Sequence, residues 1–70
     1  MEKTVAFTNI PKSEHQKICT ELAAHAQVSV SIRRFASNRG LLRIASAFPR
    51  EFEKARTWIL ERYGERVQGI

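Results

Sequence analysis

Four arginines crowded into eleven residues are the feature of this chain with the clearest chemistry. They are Arg33, Arg34, Arg39 and Arg43, and residues 28–49 contain no acidic residue. A guanidinium group is planar and presents its donors in a fork that matches phosphate oxygens. Because like charges at this spacing repel one another, the cluster costs stability unless an anion binds to it. A phosphate backbone is the anion that such clusters most often bind.

The arginines flank the sequence Ser-Asn-Arg-Gly at residues 37–40, which is typical of the tip of a β-hairpin. Phe35 lies beside that tip and is the aromatic residue with the best prospect of exposure, where it would stack on a base or insert between bases. Two alternatives stay open for the arginines, contact with an acidic protein and simple solvation. Phe35 could equally pack against the hairpin or fill a dimer seam. The candidate nucleic-acid-binding residues are Arg33, Arg34, Phe35, Asn38, Arg39 and Arg43. We expect the four guanidinium groups to project outward together, without a carboxylate partner from the protein itself.

Catalytic or metal-binding chemistry has few candidate residues. His15 and Cys19 are spaced i, i+4 on one predicted helix, with His25 further along, and no fourth metal ligand is evident. The chain contains no aspartate, which removes the usual carboxylate arrangements for magnesium. A free cysteine is commonly a small buried hydrophobe. We therefore expect no catalytic site, no metal site, no cofactor and no enzymatic activity.

Composition sets the class of protein. The 70 residues suffice for one domain, residues 1–70, and the formal net charge is +5. The single cysteine cannot form an internal disulfide, and no apolar run approaches the roughly 18 residues of a membrane span. The first residues lack the pattern of a signal peptide. We expect a soluble cytoplasmic protein without a membrane partner.

The first half of the chain predicts a strand, a helix and a second strand. Residues 4–10 alternate and end at Pro11. A helix is expected from Ser13, with Gln16 at the spacing of a capping box. Residues 27–33 alternate strictly between apolar and polar side chains, as in a half-buried strand. The expected apolar stripe of this helix is Ile18, Leu22 and Ala26.

The second half predicts the hairpin's return strand and a closing helix. Leu42 and Ile44 continue the inward face of the sheet. The closing helix is expected to begin at Phe48-Pro49 and to end at Gly64, after which residues 67–70 form a short edge strand or fray. The fold class is α+β with the order β-α-β-β-α and room for a short fourth strand. Two helices pack on one face of a small antiparallel-rich sheet and leave its other face open. The expected inner stripe of the closing helix is Phe52, Ala55, Ile59 and Tyr63, with Phe48 also at the core or its edge.

Two segments resemble the signature strands of RNA-recognition-motif domains. They are Val5–Ile10 and Arg39–Ser46, and the helix that begins at Phe48 follows in the same order, so the resemblance spans nearly the whole chain. In that family aromatic rings stack bases at the positions held here by Ala6, Leu41 and Arg43. The resemblance implies the ferredoxin-like fold. Without those rings it implies a sheet face that serves as an electrostatic platform or a protein-binding surface.

A second resemblance is to the small DinI-like proteins of bacteria and phages, which modulate the RecA recombinase. It rests on the order and spacing of Ile10-Pro-Lys-Ser, Glu21-Leu-Ala, Gln27-Val-Ser-Val, an Asn-containing hairpin and a closing helix. That family shares the β-α-β-β-α order and a similar length. Its closing helix is strongly acidic, whereas this one has mixed charges, so an acidic role that mimics DNA is not implied here.

The sequence thus predicts a small non-enzymatic protein that binds the phosphate backbone of nucleic acid, DNA or RNA, through an arginine-rich β-hairpin. The alternative is a regulator, of phage or plasmid origin or DinI-like, whose basic hairpin docks on an acidic partner protein. A homodimer formed through the open sheet face or a free strand edge is a further arrangement that the sequence leaves open.

Overall fold

The computed structural model describes residues 1–70 as a three-stranded sheet and two helices. Strand β1 (Glu2–Phe7) is followed by helix α1 (Lys12–His25), strands β2 (Ser29–Ala36) and β3 (Arg39–Ala45), and helix α2 (Pro49–Tyr63). A 3-10 turn over Gly64–Arg66 follows α2. The predicted α+β class and β-α-β-β-α order are confirmed.

All strand pairs are antiparallel, and β3 lies in the middle, so that the strand order is β1-β3-β2. The register sets Leu42 opposite both Val5 and Ile32. Because side chains alternate along a strand, these residues share one face. That face packs against both helices, and the opposite face has no element over it.

The core is a single cluster of fourteen buried apolar residues between the sheet and the helices. Helix α1 contributes Ile18 and Leu22, as its periodicity predicts. Helix α2 contributes Phe52, Ala55, Trp58 and Ile59. Trp58 therefore belongs to the core, whereas Tyr63, predicted on the inner stripe, is half-buried at its margin. Phe48, predicted at the core or its edge, is 54% exposed, so that prediction is wrong.

The ends of the elements differ from the predictions where long-range contacts decide them. The capping box is absent, because α1 begins after Pro11 without a side-chain cap and the Gln16 amide instead donates to the Thr20 hydroxyl at 3.2 Å. Strand β1 ends at Phe7, because Asn9 adopts a φ of +56° that breaks the extended backbone. Gly64 does end α2, with a φ of +47°.

The last residues form neither a full strand nor a frayed tail. Val67 makes one antiparallel bridge to Phe7, and Val67 and Ile70 are both buried in the core. The Thr8 amide donates to the Arg66 carbonyl at 2.8 Å, and the Gln68 amide donates to the Ala6 carbonyl at 2.9 Å. These contacts cover the outer edge of β1 at residues 6–8, whereas no backbone hydrogen bond reaches the outer edge of β2.

Neither helix has the length and apolar composition that crossing a bilayer requires.

Candidate nucleic-acid interface

The hairpin of β2 and β3 is held by an unusually close approach of its two strands. Gly40 is buried and pairs with Arg34. A Cβ atom at Gly40 would lie 2.2 Å from the Arg33 carbonyl oxygen, well inside van der Waals contact. The pairing also shifts between Arg34 and Ala36, which leaves Phe35 as an extra residue on β2. Only glycine allows the two strands to approach each other this closely.

The tip of the hairpin, Ser37-Asn38, is also anchored to the loop that connects β1 and α1. The Ile10 amide donates to the Asn38 carbonyl at 3.1 Å. Asn38 itself is exposed, so its side chain stays available while its backbone fixes the tip. The predicted binding residue Asn38 therefore also has a structural role.

The four hairpin arginines do not form one surface, contrary to the expectation that they project together. Arg33 is opposite Leu41 on the open face of the sheet, and Arg39 and Arg43 share that face by alternation along β3. Arg34 is opposite Gly40 and therefore points to the face that the helices cover. One residue of offset within β2 is enough to send neighbouring arginines to opposite faces.

Arg43 is neutralised by the protein itself. Its Nε and Nη2 donate to the two carboxylate oxygens of Glu2 at 3.0 and 2.7 Å. This fork-to-fork contact lowers the pKa of Glu2 and raises the pKa of Arg43. The prediction that all four guanidinium groups lack a carboxylate partner is therefore wrong at Arg43. Glu2 is distant in sequence, and only the pairing of β1 with β3 brings it to this arginine.

The other three hairpin arginines have no internal partner. Arg33, Arg34 and Arg39 are exposed, and their side chains make no ion pair and no hydrogen bond. Of the other arginines, Arg56 pairs with Glu53 at 3.4 Å and Arg62 lies over the Trp58 ring at 4.5 Å, whereas Arg50 is exposed without an ion pair. Three of the four arginines that have neither an ion pair nor a ring contact thus lie at the hairpin.

Lys12 is a further exposed cation without an ion pair near the hairpin, and it was not predicted from the sequence. A shallow depression beside the hairpin, the tip groove, is lined by Lys12, Arg34, Phe35, Ala36 and Ser37. A second depression, the helix groove, runs between α1 and β2, shares Lys12 and Arg34, and reaches Cys19 and Ile32. No carboxylate lines either groove. We call Lys12, Arg33, Arg34 and Arg39 the basic end of the molecule.

A topological signal in the sequence could have found Lys12. In an antiparallel sheet with β3 between β1 and β2, the last residue of β1 lies beside the first residues of β3, next to the hairpin tip. A helix that starts a few residues after β1 must therefore begin at the same end. Phe7 is indeed opposite Gly40, and α1 begins five residues later.

Phe35 is exposed, as the sequence analysis expected. Its side chain lines the tip groove, and the residue is 60% accessible to solvent. The only other ring of comparable exposure is Phe48, which lies at the start of α2 away from the hairpin. Phe35 is therefore the one exposed aromatic ring beside unpaired cations.

Of the residues weighed for catalysis, His15 occupies a structural position, whereas His25 is exposed on α1. His15 is buried, its Nε2 donates to the Ile10 carbonyl at 2.8 Å, and its ring meets Phe7 edge-on at 5.0 Å between centroids. Burial raises the pKa of the Cys19 thiol, which disfavours the thiolate that a nucleophile or metal ligand would need. No group of three or more His, Cys or Glu side chains is placed to hold a metal ion.

The chain matches no protein-family model, no curated protein and no solved structure.

Proposed function

We propose that the protein binds nucleic acid through the basic end, without enzymatic activity, and that its cations contact the phosphate backbone. One observation carries this proposal. Lys12, Arg33, Arg34 and Arg39 are exposed at one end of the fold and form no ion pair with any carboxylate of the chain. The repulsion among them is offset when phosphates bind, and each contact releases condensed counterions.

The proposal replaces Arg43 of the sequence-predicted set with Lys12. Arg43 already donates to both carboxylate oxygens of Glu2, so contact with a phosphate would first have to break that pair. Four phosphate contacts predict a slope of log affinity against log salt of about −3 on a single strand and about −3.5 on duplex DNA.

The test is a fluorescence titration of labelled oligonucleotides at several salt concentrations. Arg33→Gln, Arg34→Gln, Arg39→Gln and Lys12→Gln should each weaken binding and reduce the salt slope by about 1. Arg50→Gln is the matched control, because Arg50 is exposed, lacks an ion pair and lies at the start of α2, away from the hairpin. Binding that does not respond to salt, or that falls equally in the control, would remove the proposal.

An acidic protein partner is the second candidate, and the free edge of β2 favours it. The backbone of an edge strand is open to pairing with an added strand. Arg33 and Arg34 point to opposite faces of that strand and would meet carboxylates on both sides of an added acidic peptide. Competition between a polyglutamate peptide and an oligonucleotide separates the two candidates. Displacement of the oligonucleotide by polyglutamate at an equal concentration of charges favours the protein partner, and no displacement under these conditions favours nucleic acid.

The likenesses to RNA-recognition-motif domains and to DinI-like proteins stay predictions. Ala6 lies opposite Leu41 on the open sheet face, and neither residue has an aromatic ring. Stacking of bases on this face is therefore not part of the proposal.

A further inference from the structure

We propose that the tip groove is a binding site for single-stranded nucleic acid, with a base stacked on Phe35 and phosphates held by Lys12 and Arg34. The inference rests on the proposed function and deepens it, since it names the strand form and the path. It places the stacked base and the phosphates next to it on the side of β2 that faces α1, and it leaves Arg33 and Arg39 on the open face for phosphates beyond the hairpin tip.

The first step is the combination of groups in this groove. Proteins that bind single strands pair a cationic groove with aromatic rings on which bases stack. The tip groove brings together one exposed ring and two cations that lack partners, and none of its five lining residues is acidic. Its neutral members, Ala36 and Ser37, are small, and Phe35 itself is largely exposed.

The second step is continuity along the protein. Lys12 and Arg34 line both the tip groove and the helix groove, so that the two depressions meet at these cations. A strand whose base stacks on Phe35 can continue past them between α1 and β2. Ser13 and Gln16 offer polar groups to the backbone along this continuation.

The third step is that the open face is a poorer path for a single strand. Its central positions, Ala6 and Leu41, lack rings, and the Glu2 carboxylate contributes an anion to it. A phosphate backbone on that face would meet the Arg43–Glu2 pair after leaving Arg33. The side that faces α1 offers a ring and cations without such an anion.

The fourth step is that Phe35 discriminates between strand forms. In a duplex the bases stack on one another, and a ring can insert only after a step is unstacked, at a cost of a few kcal/mol. A single strand presents its bases without that cost. Phosphate contacts alone do not make this distinction, because both forms have a charged backbone.

The experiment compares oligothymidylate, oligouridylate and a mixed-sequence DNA duplex of the same length. We expect the single strands to bind more tightly than the duplex. Phe35→Ala should weaken single-strand binding by about 5- to 150-fold, the range that loss of one stacked base gives, and change duplex binding little. Because Phe35 is largely exposed, the variant should stay folded, which the fluorescence of the buried Trp58 can verify.

Phe35→Trp provides a positive control and a direct signal. It should retain single-strand affinity, and its indole emission should be quenched when a base stacks on it. A purely structural role for Phe35 would not produce that quenching.

The outcomes separate this inference from the proposed function. Equal binding of single strands and duplex, with Phe35→Ala unaffected, overturns the tip groove and leaves phosphate contact at the basic end intact. Failure of every nucleic acid to bind overturns both. A preference for single strands over duplex that persists in Phe35→Ala also counts against the ring as the discriminating group.

Discussion

The two ends of the sheet treat their polar groups in opposite ways. At the end away from the hairpin, the Ser46 hydroxyl donates to the Gln27 carbonyl at 2.8 Å and accepts from the Phe48 amide at 3.1 Å, while Glu51 accepts from the Gln27 amide at 3.0 Å. At the hairpin end, Lys12, Arg33, Arg34 and Arg39 have no such partners. The end away from the hairpin, the closed end, is held by hydrogen bonds among its own loop groups. The hairpin end, the open end, has four cations without a carboxylate partner.

This difference shows that the local sequence does not determine which charged side chains lack an ion-pair partner. Arg33 and Arg43 look alike in the sequence, since neither has an acidic neighbour within the arginine-rich segment. The pairing of β1 with β3 gives Arg43 a carboxylate and gives Arg33 none. Whether a charged side chain has a partner therefore depends on the fold. Each of the following variants changes a contact at one of the two ends.

The largest effect is expected at Gly40, on which the hairpin end depends. In Gly40→Ala the new Cβ would approach the Arg33 carbonyl to 2.2 Å and the Arg34 Cα to 3.0 Å, and neither backbone atom can rotate away. We expect a loss of about 3 kcal/mol in the free energy of unfolding, at the upper end of the usual cost of overpacking. Urea denaturation followed by Trp58 fluorescence measures it.

Gly64→Ala is the matched control for that variant. Gly64 has a φ of +47°, and no atom lies within 4 Å of the position that an alanine Cβ would occupy, so the substitution adds backbone strain without a clash. With a ψ of −115° the residue lies outside the left-handed helical region, and strain at such a sparsely populated backbone position costs about 1 to 3 kcal/mol. If Gly40→Ala leaves the free energy of unfolding nearly unchanged while Gly64→Ala lowers it, the strands of the hairpin do not approach each other this closely in solution.

The fold was more accessible to sequence reasoning than the interface was. Alternation at Val28, Val30 and Ile32 and the helical stripe of Ile18 and Leu22 identify the elements and the core, because these patterns are local. The pairing of Glu2 with Arg43 and the approach of Lys12 to Arg34 depend on register between distant segments. The shifted pairing at Phe35 likewise has no local signature. Local patterns thus predict elements, whereas the set of unpaired charges needs the tertiary structure.

An intermediate effect is expected from the pH dependence at the closed end. The hydrogen bond from the Gln27 amide, with the Lys54 ammonium at 3.3 Å, lowers the pKa of Glu51 below its ordinary value of 4.5. A carboxylate with a lowered pKa in the folded state stabilises the fold above its unfolded pKa. That contribution is lost as the pH falls through the folded pKa.

Glu51→Gln should flatten the stability curve in this acidic window, because the amide cannot titrate but can still accept from Gln27. The pKa of Glu2 is also lowered, so part of the dependence of stability on pH in the acidic range should remain. Thermal unfolding at a series of pH values measures the change, with Glu61→Gln as a charge-matched variant on the same helix. An unaltered slope in Glu51→Gln would mean that the Gln27 contact does not form in solution.

The smallest effect is expected when the internal partner of Arg43 is removed. Glu2→Gln leaves Arg43 without a carboxylate, about 7 to 8 Å diagonally across the strands from Arg33 and about 13 Å along β3 from Arg39. Both distances are well below the Debye length of about 30 Å at 0.01 M salt, whereas at physiological salt the Debye length of about 8 Å is close to the first distance and shorter than the second. We expect less than about a twofold gain in oligonucleotide affinity at low salt and no gain at physiological salt.

Glu61→Gln makes the same change in net charge on α2 and separates a local effect of Arg43 from a general one. A rise in affinity at physiological salt that appears only in Glu2→Gln would mean that the freed guanidinium contacts the bound strand. The interface would then extend along the open face of the sheet. The relevant difference would be between paired and unpaired arginines on one continuous surface, and no longer between the two ends of the sheet.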